Sequence, residues 1–154
     1  MISVTVQEFL EGKVDELIIP SEKVAHVQLG NNLEHALLVL TKSGYSAIPV
    51  LDSEFKLHGL ISSAMITESI LGLERIEFEK LTNKKVEDVM STKIPRLIIP
   101  LQLEEIVDLL VDHTFLCVEN ENGYFEGIIT RRALLKKINR QLRILKNTKY
   151  EPAD

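Results

Sequence analysis

The sequence is poor in the residues that build disulfide-bonded, metal-binding or membrane-spanning proteins. Its 154 residues include no tryptophan and a single cysteine, Cys117, so an internal disulfide and a cysteine pair for a metal are both excluded. Cys117 lies in an apolar run, which predicts a buried and unreactive thiol. No apolar run approaches the roughly 20 residues of a membrane span, and the first residues do not resemble a signal peptide. We therefore expect a cytoplasmic protein that makes no membrane contact.

The sequence also lacks the motifs of common enzymes. Its four histidines, His26, His35, His58 and His113, show no metal-ligand spacing. Neither the G-x-x-x-x-G-K-[ST] phosphate loop nor the G-x-G-x-x-G dinucleotide fingerprint occurs, and no acid lies in a recognisable catalytic motif. These observations favour a non-catalytic protein without a metal or a cofactor.

Positive charge is concentrated near the C-terminus. The net charge is −5, yet residues 131–149 carry eight Lys and Arg and no acid, whereas residues 1–130 have a net charge of −11. Such asymmetry is typical of a surface for nucleic acid or a protein partner. A basic last helix is also favoured by the negative end of the helix dipole, so a solvated face is the alternative interpretation. Overall acidity and the absence of aromatic residues from this segment weaken the hypothesis of a nucleic-acid-binding adaptor.

The two halves of the sequence repeat one order of predicted elements. The first half predicts a helix over residues 4–19 that Pro20 ends, a strand over 23–29, a helix from residue 33, a hairpin of strands over 47–51 and 57–61, and a helix capped by Ser62 or Ser63. The face of the central helix reappears seventy residues later, as Leu33, Ala36, Leu37 and Leu40 match Leu103, Ile106, Val107 and Leu110. Gly59-Leu-Ile-Ser62 likewise matches Gly127-Ile-Ile-Thr130.

This repeat predicts an α/β fold of two pseudo-symmetric βαββα units packed sheet to sheet. Each unit has about sixty residues, too few to bury a good core alone. The predicted boundaries are a lead-in over residues 1–13, a first unit over 14–72, a charged connector over 73–85, a second unit over 86–142 and a basic tail over 143–154.

The stretch from Gly127 to Leu135 is the strongest candidate for a binding site. A short apolar strand ends at Thr130, whose hydroxyl is suited to cap the helix that follows. Arg131 and Arg132 then fall in the first helical turn, where the helix dipole is already positive. Such charges are unfavourable unless an anion binds there, and guanidinium groups at a helix N-terminus suit a phosphate. The alternative is two solvated arginines without a ligand.

These motifs resemble a tandem CBS pair, also called a Bateman module. The resemblance rests on Ile48-Pro-Val-Leu-Asp52 in a middle strand and on the Gly59 and Gly127 motifs that lead into the last helix of each half, and it covers residues 14–142. The fuller pattern is similar to the small stand-alone CBS-pair proteins of Gram-positive bacteria that bind cyclic di-AMP, the CbpB/DarB type. The matching stretches are residues 23–52, the connector over 71–81 and Phe-Glu-Gly-Ile-Ile-Thr-Arg-Arg over 125–132.

In this family a nucleotide cleft lies across the two halves. The resemblance implies one cleft formed by Lys23, Val24, Ala25, Tyr45, Ser46, Ala47, Ile48, Pro49, Thr130, Arg131 and Arg132. The symmetry-related cleft would join residues 94–96 and 113–116 to residues 62–64. The first cleft would hold three cations and Tyr45, whereas the second would have Arg96 as its fixed charge. We therefore expect a phosphate ligand to choose the first cleft.

The absence of one aspartate predicts whether the ligand is a cyclic dinucleotide or a mononucleotide. Family members that bind AMP or ATP usually carry an aspartate that holds the ribose diol, and here that position is Ala133, with Met65 in the other half. A cyclic dinucleotide has no free 3′-hydroxyl, so cyclic di-AMP is the favoured ligand; an AMP, ADP or ATP sensor is the alternative. The resemblance further implies a homodimer that regulates a Rel-type (p)ppGpp synthetase/hydrolase and, in some members, pyruvate carboxylase.

Overall fold

The computed structural model describes residues 14–148. The predicted lead-in over 1–13 and the end of the predicted tail, residues 149–154, lie outside the described residues. In chain order the elements are β1 (Ile19–Pro20), β2 (Val27–Gln28), α1 (Leu33–Ser43), β3 (Ala47–Leu51), β4 (Leu57–Ser62), α2 (Ser63–Ile70), α3 (Lys80–Asn83), β5 (Arg96–Ile98), α4 (Leu103–Asp112), β6 (Phe115–Glu119), β7 (Phe125–Thr130) and α5 (Arg131–Thr148), with 3₁₀ turns at Val14–Leu17, Ser21–Lys23 and Val86–Asp88.

The strands form two sheets with matching internal order. In the first sheet β2 lies parallel to β3 and β3 antiparallel to β4; in the second, β5, β6 and β7 are related in the same way. The registers also match, since Val27 lies opposite Val50 and Leu97 lies opposite Val118. The prediction of two pseudo-symmetric α/β units is therefore confirmed.

The central helix of each half covers its sheet with one apolar stripe. α1 begins after Asn32, whose side-chain oxygen accepts a hydrogen bond from the His35 backbone N–H at 2.9 Å, and it ends before Gly44, which has a left-handed φ of 76°. Because apolar residues recur every three or four positions, they fall on one helix face. The buried members of this face are Leu33, Ala36 and Leu40 in α1 and Leu103, Ile106 and Leu110 in α4.

The two halves exchange short segments at their edges. Residues 14–20 precede the first sheet in the chain, yet Leu17 packs in the core of the second half and β1 pairs with β7. The repeat holds here too, because Val86 packs in the core of the first half and Ser91 pairs with Leu60 of β4. This exchange ties each half to the other through backbone hydrogen bonds as well as apolar contact.

Two predicted elements differ from the structure where this exchange occurs. The helix predicted over residues 4–19 is, in its described part, a single 3₁₀ turn at Val14–Leu17 followed by strand β1. The strand predicted over residues 23–29 is limited to β2, and Lys23 lies in a 3₁₀ turn before it. Local periodicity suggested longer elements, but pairing with the distant strand β7 fixes the backbone of Ile19 and Pro20 in an extended form.

The sheets pack against each other through a shared apolar cluster. Its buried members come from both halves and are Val24, Leu51, Leu57, Cys117, Phe125 and Ile128. Cys117 is buried, as predicted, and this burial raises the pKa of its thiol to about 12. The hairpin ends also join, since the Phe125 N–H donates to the Phe55 carbonyl at 3.0 Å. The predicted sheet-to-sheet packing is confirmed.

Candidate functional site

A cavity of about 290 Å³ lies where the two sheets meet at the start of α5. Both halves contribute to its walls, and its lining residues are Ile19, Val24, Ala25, Tyr45, Ser46, Ala47, Ile48, Pro49, Thr114, Phe115, Ile128, Thr130 and Arg132. Nine of the eleven residues predicted for the cleft are in this lining; Lys23 and Arg131 are not. The structure therefore brings most of the predicted set together in one place.

The walls of the cavity are largely apolar. Val24 and Ile128 are buried, and they belong to the cluster that joins the two sheets. Ala25 and Ala47 add small side chains, so the space between the halves stays open. Tyr45 is 42% exposed, which leaves part of its ring accessible to a flat ligand. Such a chamber suits a planar, weakly polar group.

The turn from β7 to α5 forms the polar end of the cavity. The Ala133 backbone N–H donates a hydrogen bond to Thr130 Oγ1 at 3.0 Å, so Thr130 caps α5 as predicted. The Arg131 backbone N–H donates to the Thr114 carbonyl at 2.8 Å, which fixes the helix start against the beginning of β6. These contacts hold the first turn of α5 in place beside the cavity.

Arg131 and Arg132 have different surroundings although they are neighbours. Arg131 Nε donates to the Leu110 carbonyl at 2.9 Å, and its Nη2 donates to the Val111 carbonyl at 3.3 Å. Both carbonyls belong to the last turn of α4, where a helix leaves its carbonyls without internal partners. The guanidinium group of Arg131 therefore joins α5 to the end of α4, and Arg131 lines the open groove along α5 that adjoins the cavity. Its contact with a ligand stays a prediction.

Arg132 is the single charged residue in the lining of this cavity. Its side chain is exposed, and no described residue accepts a hydrogen bond from its guanidinium group. The helix N-terminus adds positive potential at the same point. Arg132 therefore presents a guanidinium fork without a described partner at a helix N-terminus, the arrangement that suits an anion.

Lys23 lies before β2 and outside the lining of this cavity. It ends the Ser21–Lys23 turn next to Val24, its side chain is exposed, and the cavity lining does not include it. Of the three cations predicted for the cleft, Arg132 lines this cavity, and ligand contacts of Lys23 and Arg131 stay predictions. The family resemblance assigned Lys23 to the cleft, and in the structure it lies in a 3₁₀ turn rather than in a strand.

The symmetry-related turn, from β4 to α2, has equivalent hydrogen bonds but no arginine. Ser62 Oγ accepts from the Met65 N–H at 3.1 Å, and the Ser63 N–H donates to the Ser46 carbonyl at 3.1 Å. The position equivalent to Arg132 is Ala64.

Arg96, the fixed charge expected in the second cleft, is already bonded. Its Nη1 donates to the Leu57 carbonyl at 2.9 Å and its Nη2 to the His58 carbonyl at 3.1 Å. Its Nη1 also lies 3.4 Å from Glu119 Oε2. Arg96 therefore holds the two hairpins together and has few donors left for a ligand.

The sequence interpretation missed four lining residues, Ile19, Thr114, Phe115 and Ile128. Thr114 and Phe115 had been assigned to the second cleft, but Phe115 lies opposite Thr130 in the β6–β7 register. Any cavity that reaches Thr130 therefore also reaches the start of β6. The pairing of these two strands was the signal that could have placed Thr114 and Phe115 in this cleft, because Gly127-Ile-Ile-Thr130 is a predicted strand end.

The described residues contain little else that suggests chemistry. Within residues 14–148, no group of three His, Cys, Asp or Glu is arranged to hold a metal ion. In the same range, no helix has both the length and the apolar character to cross a membrane.

Comparison with known proteins identifies this architecture. The family model for the CBS domain matches residues 14–72 and 86–140, one match for each half. The chain therefore belongs to the CBS domain family and is a tandem CBS pair.

Individual relatives within this family indicate which kind of tandem CBS pair the chain is similar to. The chain is 55% identical to cyclic di-AMP receptor B of Bacillus subtilis (strain 168) over 145 residues, 94% of this chain and 99% of the relative. It is also similar to the crystal structure of Listeria monocytogenes CbpB in complex with c-di-AMP, with 62% identity, a TM-score of 0.81 and coverage of 86% and 99% of the two chains. CbpB of Streptococcus agalactiae matches with 30% identity, a TM-score of 0.80 and coverage of 100% and 98%.

Proposed function

We propose that this protein is a non-catalytic receptor that binds cyclic di-AMP in the cleft between its two CBS domains. The observation that carries the proposal is the apolar cavity that ends at Arg132, a guanidinium group without a partner among the described residues. The relatives that bind cyclic di-AMP support the same ligand.

The cavity walls and its polar end suit the two parts of a nucleotide. An adenine ring can lie between Ala25, Ala47 and the exposed part of Tyr45, where small side chains leave room for a flat group. A phosphate then reaches Arg132 and the N-terminus of α5. One charge-assisted hydrogen bond to such a phosphate contributes roughly 1.5–3 kcal/mol.

The cyclic form of the ligand is supported by the residue after Arg132. Ala133 is the third residue of α5 and stands where AMP- and ATP-binding members usually carry an aspartate for the ribose diol. A carboxylate at this point would repel a bridging phosphate, whereas alanine does not. The turn is thus better suited to a cyclic dinucleotide than to a free nucleotide.

Calorimetry of the purified full chain against a nucleotide panel tests this proposal. Cyclic di-AMP is expected to bind more tightly than AMP, ADP or ATP, and cyclic di-GMP serves as the control for the base. Tighter binding of AMP, ADP or ATP would contradict the proposal and favour the alternative, a sensor of adenine mononucleotides.

We infer that the protein regulates partner proteins in the cytoplasm, and that binding of cyclic di-AMP in the cleft changes this regulation. The family resemblance points to a homodimer and to a Rel-type (p)ppGpp synthetase/hydrolase or pyruvate carboxylase as partners. Biolayer interferometry with each purified enzyme, in the presence and absence of cyclic di-AMP, tests this inference. Binding that depends on the ligand is expected for at least one enzyme, and equal or absent binding to both would contradict it. Sedimentation equilibrium tests the dimer, for which a mass of two chains is expected.

A further inference from the structure

The connector loop, residues 71–79 between α2 and α3, turns its large apolar side chains toward solvent. Leu73 is fully exposed, Phe78 is 64% exposed, and Leu71 and Ile76 are exposed as well. None of the nine residues of this loop is buried. A run of exposed apolar side chains of this kind is typical of a surface that binds another molecule.

Hydrogen bonds hold the backbone of the connector loop in one conformation. Leu71 pairs with Ile76 in an antiparallel bridge. The Glu77 N–H donates to the Ile70 carbonyl at 2.7 Å, which joins the loop to the end of α2. The helix that follows, α3, packs against α1 and α2. Because the loop is already ordered, it loses little conformational entropy when a partner binds it.

Most charges of the connector loop are paired with one another. The guanidinium group of Arg75 binds both carboxylate oxygens of Glu79, and this hydrogen bonding lowers the pKa of Glu79 to about 2. Glu77 forms an ion pair with Lys80. Glu74 is exposed and has no hydrogen bond or ion pair with any described residue. The charge that the loop leaves for a partner is therefore negative.

An open groove of about 610 Å³ lies along the connector loop, and its lining residues are Leu71, Gly72, Leu73, Glu74, Arg75, Glu77 and Lys80. The two leucines give the groove an apolar wall, and the unpaired Glu74 lies in the same lining. Apolar contact together with an opposite charge is what binds one protein surface to another. The groove therefore suits a segment that carries apolar side chains and a Lys or Arg.

The connector loop has no counterpart in the second half of the fold. Helix α2 ends at Ile70, whereas the equivalent helix α5 continues to Thr148. The repeat that explains the rest of the fold therefore does not explain this loop.

Helix α2 joins the connector loop to the cavity. At the start of α2 the Ser63 N–H donates at 3.1 Å to the carbonyl of Ser46, which lines the cavity. At the end of α2 the Ile70 carbonyl accepts the hydrogen bond from the loop. Eight helical residues span about 12 Å. One short helix therefore connects the wall of the cavity to the loop.

We propose that the connector loop is the docking surface for a partner protein, and that a segment with apolar side chains and at least one Lys or Arg occupies its groove. A second copy of this chain is a poorer occupant, because a symmetric contact between two connector loops brings Glu74 close to its own counterpart. This inference rests on the proposed binding of partner proteins.

Biolayer interferometry with the purified Rel-type enzyme and with pyruvate carboxylase, with and without cyclic di-AMP, tests this inference. Leu73→Ser and Phe78→Ser are each expected to weaken binding of the enzyme by about tenfold or more. Glu74→Lys is expected to weaken it by about tenfold, mainly through slower association. Ile98→Thr is the matched control, since Ile98 is 54% exposed on β5, and it is expected to stay within about twofold. Calorimetry of the loop variants with cyclic di-AMP is expected to agree with the parent within about twofold, because the loop does not line the cavity.

The outcomes separate this inference from the proposed function. If an enzyme binds the parent and the loop variants equally well, the inference is overturned and the proposed regulation stands. If the loop variants lose the enzyme but cyclic di-AMP has no effect on binding to the parent, the docking surface is supported and the proposed regulation is contradicted. If neither enzyme binds the parent, both are overturned, whereas binding of cyclic di-AMP is decided by calorimetry alone. Sedimentation that finds single chains for the loop variants and dimers for the parent would assign the loop to a second copy and overturn the inference.

Discussion

The two halves of this molecule share a backbone but differ in the side chains at one turn. Thr130 and Ser62 cap equivalent helices with hydrogen bonds of 3.0 and 3.1 Å, and each following residue donates its N–H to the equivalent carbonyl. One position later the halves diverge, because Arg132 stands where the first half has Ala64. The fold is therefore duplicated, whereas the proposed phosphate site is single.

The other two arginines of the predicted clefts strengthen this contrast between the halves. Arg96 and Arg131 both donate to backbone carbonyls of neighbouring elements, so they act as structural ties. A guanidinium group can either hold structural elements together or bind a ligand, and its hydrogen-bond partners show which of the two it does. Among the three arginines of the predicted clefts, Arg132 alone has no such partner within the described range.

The largest expected effect is a loss of stability where β1 pairs with β7, one of the contacts that join the two halves. A side chain at Gly127 would overlap the Ile19 carbonyl oxygen, and φ is 148°, which disfavours other residues. We expect Gly127→Ala to lower the free energy of unfolding by roughly 3 kcal/mol or more. Gly59→Ala would overlap the equivalent Ser91 oxygen, but without the backbone strain, so about 1–3 kcal/mol is expected. Urea denaturation of both variants measures the difference, and equal losses would show that the backbone angle contributes nothing.

The next largest effect is on ligand binding at the turn. Arg132→Met removes the guanidinium fork and keeps the aliphatic stem, so cyclic di-AMP is expected to bind roughly 2–3 kcal/mol more weakly, about 30- to 150-fold. Stability without ligand is expected to hold or rise by a few tenths of a kcal/mol, since the charge opposes the helix dipole. Ala64→Met is the matched control and is expected to bind like the parent. If Arg132→Met also binds like the parent in calorimetry, the proposed site is wrong.

Ligand choice can be shifted at the next residue. Ala133→Asp adds a carboxylate beside Arg132, and we expect cyclic di-AMP to bind about tenfold more weakly through charge repulsion. AMP or ATP affinity is expected to rise, because the carboxylate can bind a ribose diol. Titration of the variant with the three nucleotides measures both changes. An unchanged order of affinities would show that position 133 does not face the ligand.

A smaller effect is expected at the other arginine of the turn. Arg131→Met breaks the hydrogen bonds to the Leu110 and Val111 carbonyls. We expect it to lower the free energy of unfolding by about 1 kcal/mol. Its effect on cyclic di-AMP affinity is expected to be smaller than that of Arg132→Met. Thermal melts and calorimetry on both variants test this division of roles, and a greater loss of affinity in Arg131→Met would reverse it.

The smallest effect concerns the hairpin turns, where Asp52 of the first half matches Asn120 of the second. A hydrogen bond from His58 at 2.8 Å lowers the pKa of Asp52, whereas Asn120 cannot titrate. A lowered pKa stabilises the fold above the usual carboxyl range, and this contribution is lost as the pH falls through the lowered value. Melting temperatures of the parent and Asp52→Asn are expected to differ near pH 6, and the difference is expected to shrink as the pH falls below the usual carboxyl range. Parallel curves would mean that Asp52 does not contribute.

The repeated elements were predictable because their signals are local. Apolar spacing in Leu33–Ser43 and Leu103–Asp112 fixes two helices, and alternation fixes the hairpin strands. The exchange of residues 14–20 was not predictable, because it depends on pairing with Gly127 and Ile128, more than a hundred residues away. Short strands of this kind carry too little pattern to identify their partner.

The site was predictable as a set of residues but not in the role of each cation. Arg131 and Arg132 are adjacent, yet successive residues on a helix point about 100° apart. The sequence prediction placed both in the cleft, whereas in the structure Arg132 lines the inner cavity and Arg131 lines the adjoining open groove along α5. Lys23 shows the same limit, since the family resemblance placed it in the cleft and the structure has it in a 3₁₀ turn outside the cavity lining.

The stoichiometry of cyclic di-AMP binding tests the difference between the halves most directly. Calorimetry with an accurately known concentration of the full chain measures the number of sites. Because a free guanidinium group is present at Arg132 and absent at Ala64, one cyclic di-AMP per chain is predicted. Two equivalent sites per chain would contradict the proposed asymmetry.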